Sequence, residues 1–181
     1  MGCGWGDRLN KTKRIITCAL LTTVALALFA VELLIPPFSF CPGAKIGLAN
    51  IITLFMLSNR KFFRVSDCFG VLLSRCMLSA LLTGRILSVA FSLSGGLASM
   101  FAMLLIRKIM SEKSVVCISI SGAVFHNIAQ ILVAVCLYGT FSALYYIPAL
   151  FIVGVLCGIL TGLCVRIINK SDVCRNIFKL Q

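Results

Sequence analysis

The chain has 181 residues, of which 60% are hydrophobic and 12% charged, with a formal net charge of +12. Soluble domains carry roughly 25% charged residues, so this composition excludes a soluble enzyme, a disordered tail and a solvated nucleic-acid-binding surface. A basic excess in a hydrophobic chain is typical of loops held beside anionic lipid on the cytoplasmic face of a membrane. We therefore predict a polytopic membrane protein that forms one domain.

Six apolar runs lie between a basic tail at 1–14 and a second basic tail at 166–181. A membrane-spanning helix needs about 20 apolar residues, a length that five of the runs approach or reach. The second run, Ile46–Leu57, is too short to cross in this way. We predict that it forms a short, tilted span that extends to Phe63; the alternative is a short helix shielded by its neighbours. The predicted spans are 15–35, 46–63, 66–83, 86–106, 115–137 and 144–165.

Basic residues are sorted between alternate connections of the chain. With six crossings, all of the 17 Lys and Arg residues except Lys45, Arg75 and Arg85 fall on the side of the two tails. The positive-inside rule then predicts an all-α six-transmembrane-helix bundle in the cell membrane, with both termini cytoplasmic. Omitting the short second span would mix the two sets of loops, so the sorting itself favours six crossings.

Polar side chains inside the apolar runs are candidates for a functional site, because burying them in lipid costs free energy. The candidates are Glu32, Lys45, Asn50, Arg75, His126, Asn127 and Gln130. With the predicted orientation, nearly all of them lie in the outer half of the membrane, which favours a pocket open to the outside. Structural interpretations stay open: Glu32 and Arg75 as an ion pair, Lys45 as an interfacial anchor, and the others as hydrogen bonds between helices.

Small residues recur at four-residue spacing on two of the spans. The two stripes are Gly154, Gly158 and Gly162 on the sixth span and Ala19, Thr23 and Ala27 on the first. Such a smooth ridge lets another helix approach closely, so the glycines predict internal packing. The stripe on the first span fits either internal packing or docking of a partner helix. The segment 92–96 interrupts the fourth span with small residues, which predicts a bend or a close approach of a ligand.

The ten cysteines are predicted to be packing residues, because none forms a CxxC pair and most lie inside apolar runs. No metal site and no cofactor are predicted. The chain has no GxxxxGK[ST] loop, so it does not hydrolyse ATP itself.

Three segments together resemble a known family: 42–50 (PGAKIGLAN), 92–96 (SLSGG) and 122–130 (GAVFHNIAQ). They look like the Gx transporter family, labelled heptaprenyl diphosphate synthase component I, over a stretch from about Glu32 to Gly162. That family is similar to the substrate-binding S components of energy-coupling factor transporters. The resemblance implies a solute pocket near the outer face. It also implies two kinds of partner, a membrane coupling subunit and cytoplasmic ATPases, with the small-residue stripe of the first span facing the coupling subunit.

Three functions are weighed on these grounds. The first is uptake of a small solute, for which a cationic lining fits an anion. The second is a non-catalytic membrane component associated with heptaprenyl diphosphate synthesis. No enzyme is expected, because Mg²⁺-diphosphate chemistry needs clustered carboxylates and the five acidic residues are widely separated. The third is an ion- or proton-conducting subunit with a relay through Glu32, Arg75 and His126. The amide side chains and their clustering toward one face favour solute uptake.

Overall fold

The structure, a computed structural model, describes residues 11–34, 47–60, 62–84, 86–110, 115–139 and 141–171. These ranges contain six α-helices and a 3-10 helix, Phe141–Tyr146, and they contain no strand. The α-helices are α1 (Lys11–Leu34), α2 (Asn50–Ser58), α3 (Val65–Thr83), α4 (Ile86–Ile109), α5 (Val115–Tyr138) and α6 (Ile147–Lys170).

Every α-helix except α2 is long and apolar enough to cross a membrane. Large apolar side chains cover the outside of the bundle; Leu20, Leu81, Phe101 and Leu156 are examples. A soluble monomer rarely exposes apolar surface on this scale, whereas lipid solvates it. The predicted all-α membrane bundle is therefore confirmed.

The second helix differs most from its predicted bounds, because α2 has 9 residues instead of filling the predicted span 46–63. All of α2 except Phe55 and Ser58 is buried, and the helix contacts each of the other five α-helices. A helix of 9 residues rises about 13 Å, well short of the hydrocarbon core. The shielded short helix that the sequence offered as the alternative therefore describes α2 itself.

Two hydrogen-bonded contacts at opposite ends of α1 fix the path of the chain. Near the start of α1, Arg14 donates to the carboxylate of Asp67 at 2.6 and 2.9 Å. Near its end, the carboxylate of Glu32 accepts the Gly47 N–H at 2.7 Å. Arg14 and Glu32 lie about 27 Å apart along the helix. The chain therefore passes from one end of the bundle to the other between Gly47 and Asp67, although α2 is short.

The last helix returns to the end of the bundle where α1 begins. Asn59, directly after α2, donates through Nδ2 to Oδ1 of Asn169 at 2.9 Å, close to the end of α6. A small cavity lined by Ser58 and Arg107 brings the end of α4 to the same place. Basic residues gather at this end, which we call the basic end: Lys13, Arg14, Arg60, Arg64, Arg107, Lys108, Arg166 and Lys170. That the basic end faces the cytoplasm stays a prediction.

Helix α5 is the centre of the second half of the chain, because it packs most extensively against both α4 and α6. On α6, the glycine stripe lies against the backbone of α5. A Cβ atom at Gly158 would lie 2.5 Å from the Ile120 Cα, and one at Gly162 would lie 2.9 Å from the Val116 Cα. The absence of side chains at these positions thus allows α5 and α6 to approach as closely as they do.

Candidate functional site

The site is built around a turn between α1 and α2. Gly47 adopts a φ of +73°, a left-handed conformation that side chains disfavour, and its carbonyl accepts the Asn50 N–H at 2.8 Å. The same turn directs the Gly47 N–H at Glu32. Through its N–H and its carbonyl, Gly47 thus links the Glu32 carboxylate near the end of α1 to Asn50, the first residue of α2.

Arg75 is buried near the middle of α3. Its side chain is 6% exposed, and its Nη2 donates to Oδ1 of Asn50 at 3.5 Å, a long hydrogen bond. The described contact of the Glu32 carboxylate is with the Gly47 N–H, and its ion pair with Arg75, which the sequence left open, stays a prediction. Arg75 therefore places a positive charge inside the bundle, and its described partner on α2 is the side-chain amide of Asn50.

The three polar residues of α5 divide between two directions. Asn127 faces α6, where its Nδ2 donates to the Leu150 carbonyl at 3.1 Å and lies against Gly154. His126 faces α4, where its imidazole lies so close to Gly95 that a Cβ there would be 2.7 Å from Cε1. Gln130 lies one turn later on the same face as His126, as the four-residue spacing requires.

The segment 92–96 does not interrupt α4, which continues from Ile86 to Ile109. Its two glycines instead permit close approach, because Gly95 lies against His126 and Gly96 lies against Leu72 and the Arg75 guanidinium. The close contacts of this segment are thus with side chains of α5 and α3, and the close approach of a ligand stays a prediction.

These residues surround a small cavity, which we call the polar cavity. Its volume is about 30 Å³, enough for one or two water molecules but not for an organic solute. The lining residues are Phe29, Glu32, Gly47, Ala49, Asn50, Arg75, Cys76, Ser79, Ser92, His126 and Gln130. A smaller cavity of about 10 Å³ continues from it toward α6 and shares Gly47, Asn50 and His126. Helices α1 to α5 therefore all contribute to one polar cavity.

Gln130, in the lining of the polar cavity, has an acceptor atom without a described partner. Gln130 is 6% exposed, and its Oε1 makes no hydrogen bond to any residue that the structure describes. A buried acceptor without a donor costs about 1–3 kcal/mol, so it marks a place where a water or a ligand donor is accommodated.

The structure brings together most of the residues that the sequence singled out. Glu32, Asn50, Arg75, His126 and Gln130 line the polar cavity, and Asn127 lines the smaller one. Lys45 lies outside the described residues. On α1, Ala19, Thr23 and Ala27 are exposed on the outside of the bundle, away from the cavity.

Several lining residues were not predicted as site residues. They are Phe29, Gly47, Cys76, Ser79, Ser92, Ser119, Cys157 and Thr161. Serine and threonine are common in membrane helices, where they bond to their own backbone, as Ser79 does to the Cys76 carbonyl at 2.9 Å. The one feature of the sequence that could have indicated Ser79 is its position one helical turn after Arg75. Gly47 stood within the segment 42–50 but offered no side chain by which to single it out.

A separate groove of about 740 Å³ lies between α1 and α3 on the outside of the bundle. Small residues form both of its walls, with Ala19 and Thr23 on α1 and Gly70 and Ser74 on α3. The Arg14–Asp67 ion pair closes the groove at the basic end. Two residues of the stripe predicted on α1, Ala19 and Thr23, thus line a surface groove, and Ala27 is not among its described lining residues.

Within the described ranges, no three His, Cys, Asp or Glu side chains are grouped closely enough to hold a metal ion. The described cysteines are free thiols; Cys68 is buried among apolar side chains, and Cys76 is buried in the wall of the polar cavity.

The fold and the site define a class, that of polytopic helical membrane proteins with a buried polar cavity between their helices. Within that class, the chain belongs to the family heptaprenyl diphosphate synthase component I, whose family model matches residues 21–168. The resemblance found in the segments 42–50, 92–96 and 122–130 is confirmed by this match. Neither a curated protein nor a solved structure matches the chain.

Proposed function

We propose that this chain is the solute-binding subunit of a membrane uptake system, a role like that of the S components of energy-coupling factor transporters. The observation that supports the proposal most is the Gln130 Oε1, a buried acceptor that faces a cavity lined by Glu32 and Arg75. Polar groups that serve only to join helices are expected to bond to each other. A binding site keeps donors and acceptors available for its solute.

The polar cavity, at about 30 Å³, is smaller than an organic solute. Binding of a solute then requires helices to move apart, and α1 is suited to such movement because, among the described helices, it contacts only α2 and α3. The chain performs no covalent chemistry in this proposal. Transport follows when partner ATPases, acting through a membrane coupling subunit, reorient the bundle in the cell membrane.

The groove between α1 and α3 is the surface that we assign to the coupling subunit. Small residues on both walls would admit a helix of that subunit at short distance. Replacing Ala19 by Leu should fill the groove and abolish co-purification with the ATPases. Replacing the neighbouring Leu20 by Ala, on the exposed side of α1, should leave the complex intact.

A second candidate function is favoured by the family match, since the family is described as a component of heptaprenyl diphosphate synthase. In that function the chain would be a non-catalytic membrane component that associates with the synthase. Stimulation of prenyl chain elongation when the purified chain is added to the soluble synthase would support it.

Solute retention tests the first candidate directly. The wild-type protein, purified into lipid nanodiscs and incubated with the small-molecule fraction of its host cells, should retain a solute that mass spectrometry detects after denaturation. The His126→Ala variant should retain about tenfold less, the loss expected when a hydrogen bond worth about 1.4 kcal/mol is removed. Phe125→Ala is the matched control, because Phe125 is adjacent but exposed on the outside. Equal retention by all three proteins, or by none, would contradict the proposal.

A further inference from the structure

Three small cavities follow one another from the polar cavity to the basic end. The polar cavity of about 30 Å³ meets the smaller cavity of about 10 Å³ at Asn50. A third cavity of about 20 Å³, which we call the basic-end cavity, lies beside Ser58 and Arg107. Each of the three has room for about one or two water molecules. The series therefore has the dimensions of a path for water.

The three cavities lie along the same two helices, α4 and α5. On α5, the lining residues run from Gln130 through Ser119 to Val115, a distance of about 22 Å along the helix. On α4 they run in the opposite direction, from Ser92 at the polar cavity to Arg107 at the basic-end cavity. These two rows of residues, which we call the α4–α5 seam, connect the polar cavity to the basic end.

A buried hydroxyl on this seam has no partner that the structure describes. Ser99 is 1% exposed, and its Oγ lies 3.1 Å from the position that a Cβ of Gly122 would take. The Ser99 Oγ makes no hydrogen bond to any described residue, whereas Ser79 and Ser121 bond to carbonyls of their own helices. The Gln130 Oε1, at the far end of the seam, is unpartnered in the same way. Two polar atoms along the seam can therefore take a water molecule as their partner.

Met103 lies beside Ser99, where the seam is closed. Its side chain is 2% exposed and fills the space that Gly122 leaves, since a Cβ at Gly122 would overlap the Met103 Cε and lie 2.8 Å from its Cγ. Met103 lines the smaller cavity, and Arg107, about one turn later on α4, lines the basic-end cavity. A methionine side chain is unbranched and has three rotatable bonds, so it can leave such a space without movement of the backbone.

We propose that the α4–α5 seam is a water path from the basic end to the polar cavity, and that Met103 is its gate. When the Met103 side chain turns out of the space beside Gly122, water from the basic-end cavity reaches Ser99 and then the polar cavity. Water that arrives there supplies a hydrogen-bond donor for the Gln130 Oε1 while no solute is bound. The inference goes beyond the proposed uptake function, because the path operates with or without a solute.

The test measures how fast bulk water reaches the polar cavity. The protein in lipid nanodiscs is mixed with isotopically labelled water and irradiated briefly with X-rays after set delays, and the hydroxyl radicals that form oxidise neighbouring thiols. Mass spectrometry then gives the content of labelled oxygen at each cysteine. The native Cys76 reports on the polar cavity, which it lines. Cys68, which is buried in the apolar core and lines none of the three cavities, shows whether a variant stays folded.

Met103→Ala should shorten the delay at Cys76 about tenfold, because the gate is removed. Met100→Ala is the matched control and should keep the wild-type delay, since Met100 is also buried on α4 but lines none of the three cavities. Adding Ser58→Leu to Met103→Ala should restore the long delay, because the larger side chain fills the basic-end cavity. Met103→Leu, which keeps the volume but is branched, should make the delay longer than in wild type.

Equal delays in wild type and Met103→Ala would overturn the gate. A short delay that Ser58→Leu does not lengthen would show that water enters elsewhere, and would overturn the path. Where Met103→Ala oxidises Cys68 and has therefore unfolded, Met103→Leu decides, and a delay equal to that of wild type overturns the proposal. These measurements are made without a solute, so their outcome is independent of whether the proposed uptake function holds.

Discussion

Two faces of α5 make opposite use of polar side chains. Toward α6, the polar atoms satisfy each other: Asn127 donates to the Leu150 carbonyl at 3.1 Å, and the hydroxyls of Ser119 and Thr161 lie 2.7 Å apart. Toward α4 and the polar cavity, one turn away, Gln130 keeps an acceptor without a described donor. Asn127 and Gln130 are both buried amides, so residue type does not separate them. What separates them is whether the neighbouring helix approaches closely enough to use the side chain.

The comparison predicts its largest effect at the glycines between α5 and α6. Gly158→Ala places a methyl group 2.5 Å from the Ile120 Cα, and only a shift of the helix relieves that contact. The variant should lose about 3 kcal/mol of stability, measured as a lower thermal midpoint in detergent. Gly70→Ala is the control, because a Cβ at Gly70 meets nothing within 4 Å. An equal midpoint for both variants would contradict the tight packing of α5 on α6.

The next largest effects are expected at the two buried amides, where Asn127 should affect stability and Gln130 should affect solute binding. Asn127→Ala should lower the thermal midpoint, since it removes a buried hydrogen bond between α5 and α6 worth about 1 kcal/mol. Gln130→Met should leave the midpoint unchanged or raise it, but should weaken solute retention about tenfold or more. Thermal melting and solute retention are measured on both proteins. The comparison fails when Gln130→Met destabilises the fold as much as Asn127→Ala does.

Gly95→Ala should also act on binding more than on stability. The new methyl group would lie 2.7 Å from a side-chain atom, His126 Cε1, and the imidazole can rotate away where a backbone could not. We expect the ring to move into the polar cavity and to reduce solute retention about tenfold. The thermal midpoint should fall by less than in Gly158→Ala. A large loss of stability with normal retention would contradict the assignment of Gly95 to the site.

The smallest effect is expected at the basic end. The Arg14–Asp67 ion pair is partly exposed, with 28% and 10% of the two side chains accessible. Such pairs contribute about 1 kcal/mol or less, so Arg14→Gln should lower the thermal midpoint slightly and less so at high salt. Lys13→Gln, an exposed neighbour on the same helix, is the control. Solute retention should stay at the wild-type level in both variants.

Much of the fold could be predicted from hydrophobicity and charge. The long helices follow from the lengths of the apolar runs, since a membrane allows few other structures. The sorting of basic residues requires a crossing between Gly47 and Asp67, and the contacts of Glu32 and Arg14 trace the chain along that path. The short helix α2 was predicted only as an alternative, because hydrophobicity alone does not show that the turn at Gly47 delays the start of the helix to Asn50.

The site was predictable only in part. Ionisable and amide residues in apolar runs are rare enough to identify, and five of them line one cavity. The direction of each side chain was not predictable, because His126 and Asn127 are adjacent in sequence and differ only in the helix that they face. Hydroxyl residues such as Ser79 carry no signal of their own, since a backbone carbonyl satisfies them within the helix.

Ligand-induced stabilisation tests the central claim, that the polar cavity binds a solute, most directly. A solute that binds the native state raises the thermal midpoint by mass action. The small-molecule fraction of the host cells should raise the midpoint of wild type and of Phe125→Ala to the same extent, and should not raise that of Gln130→Met. An equal rise in all three proteins would place the binding elsewhere, and no rise in wild type would contradict the account.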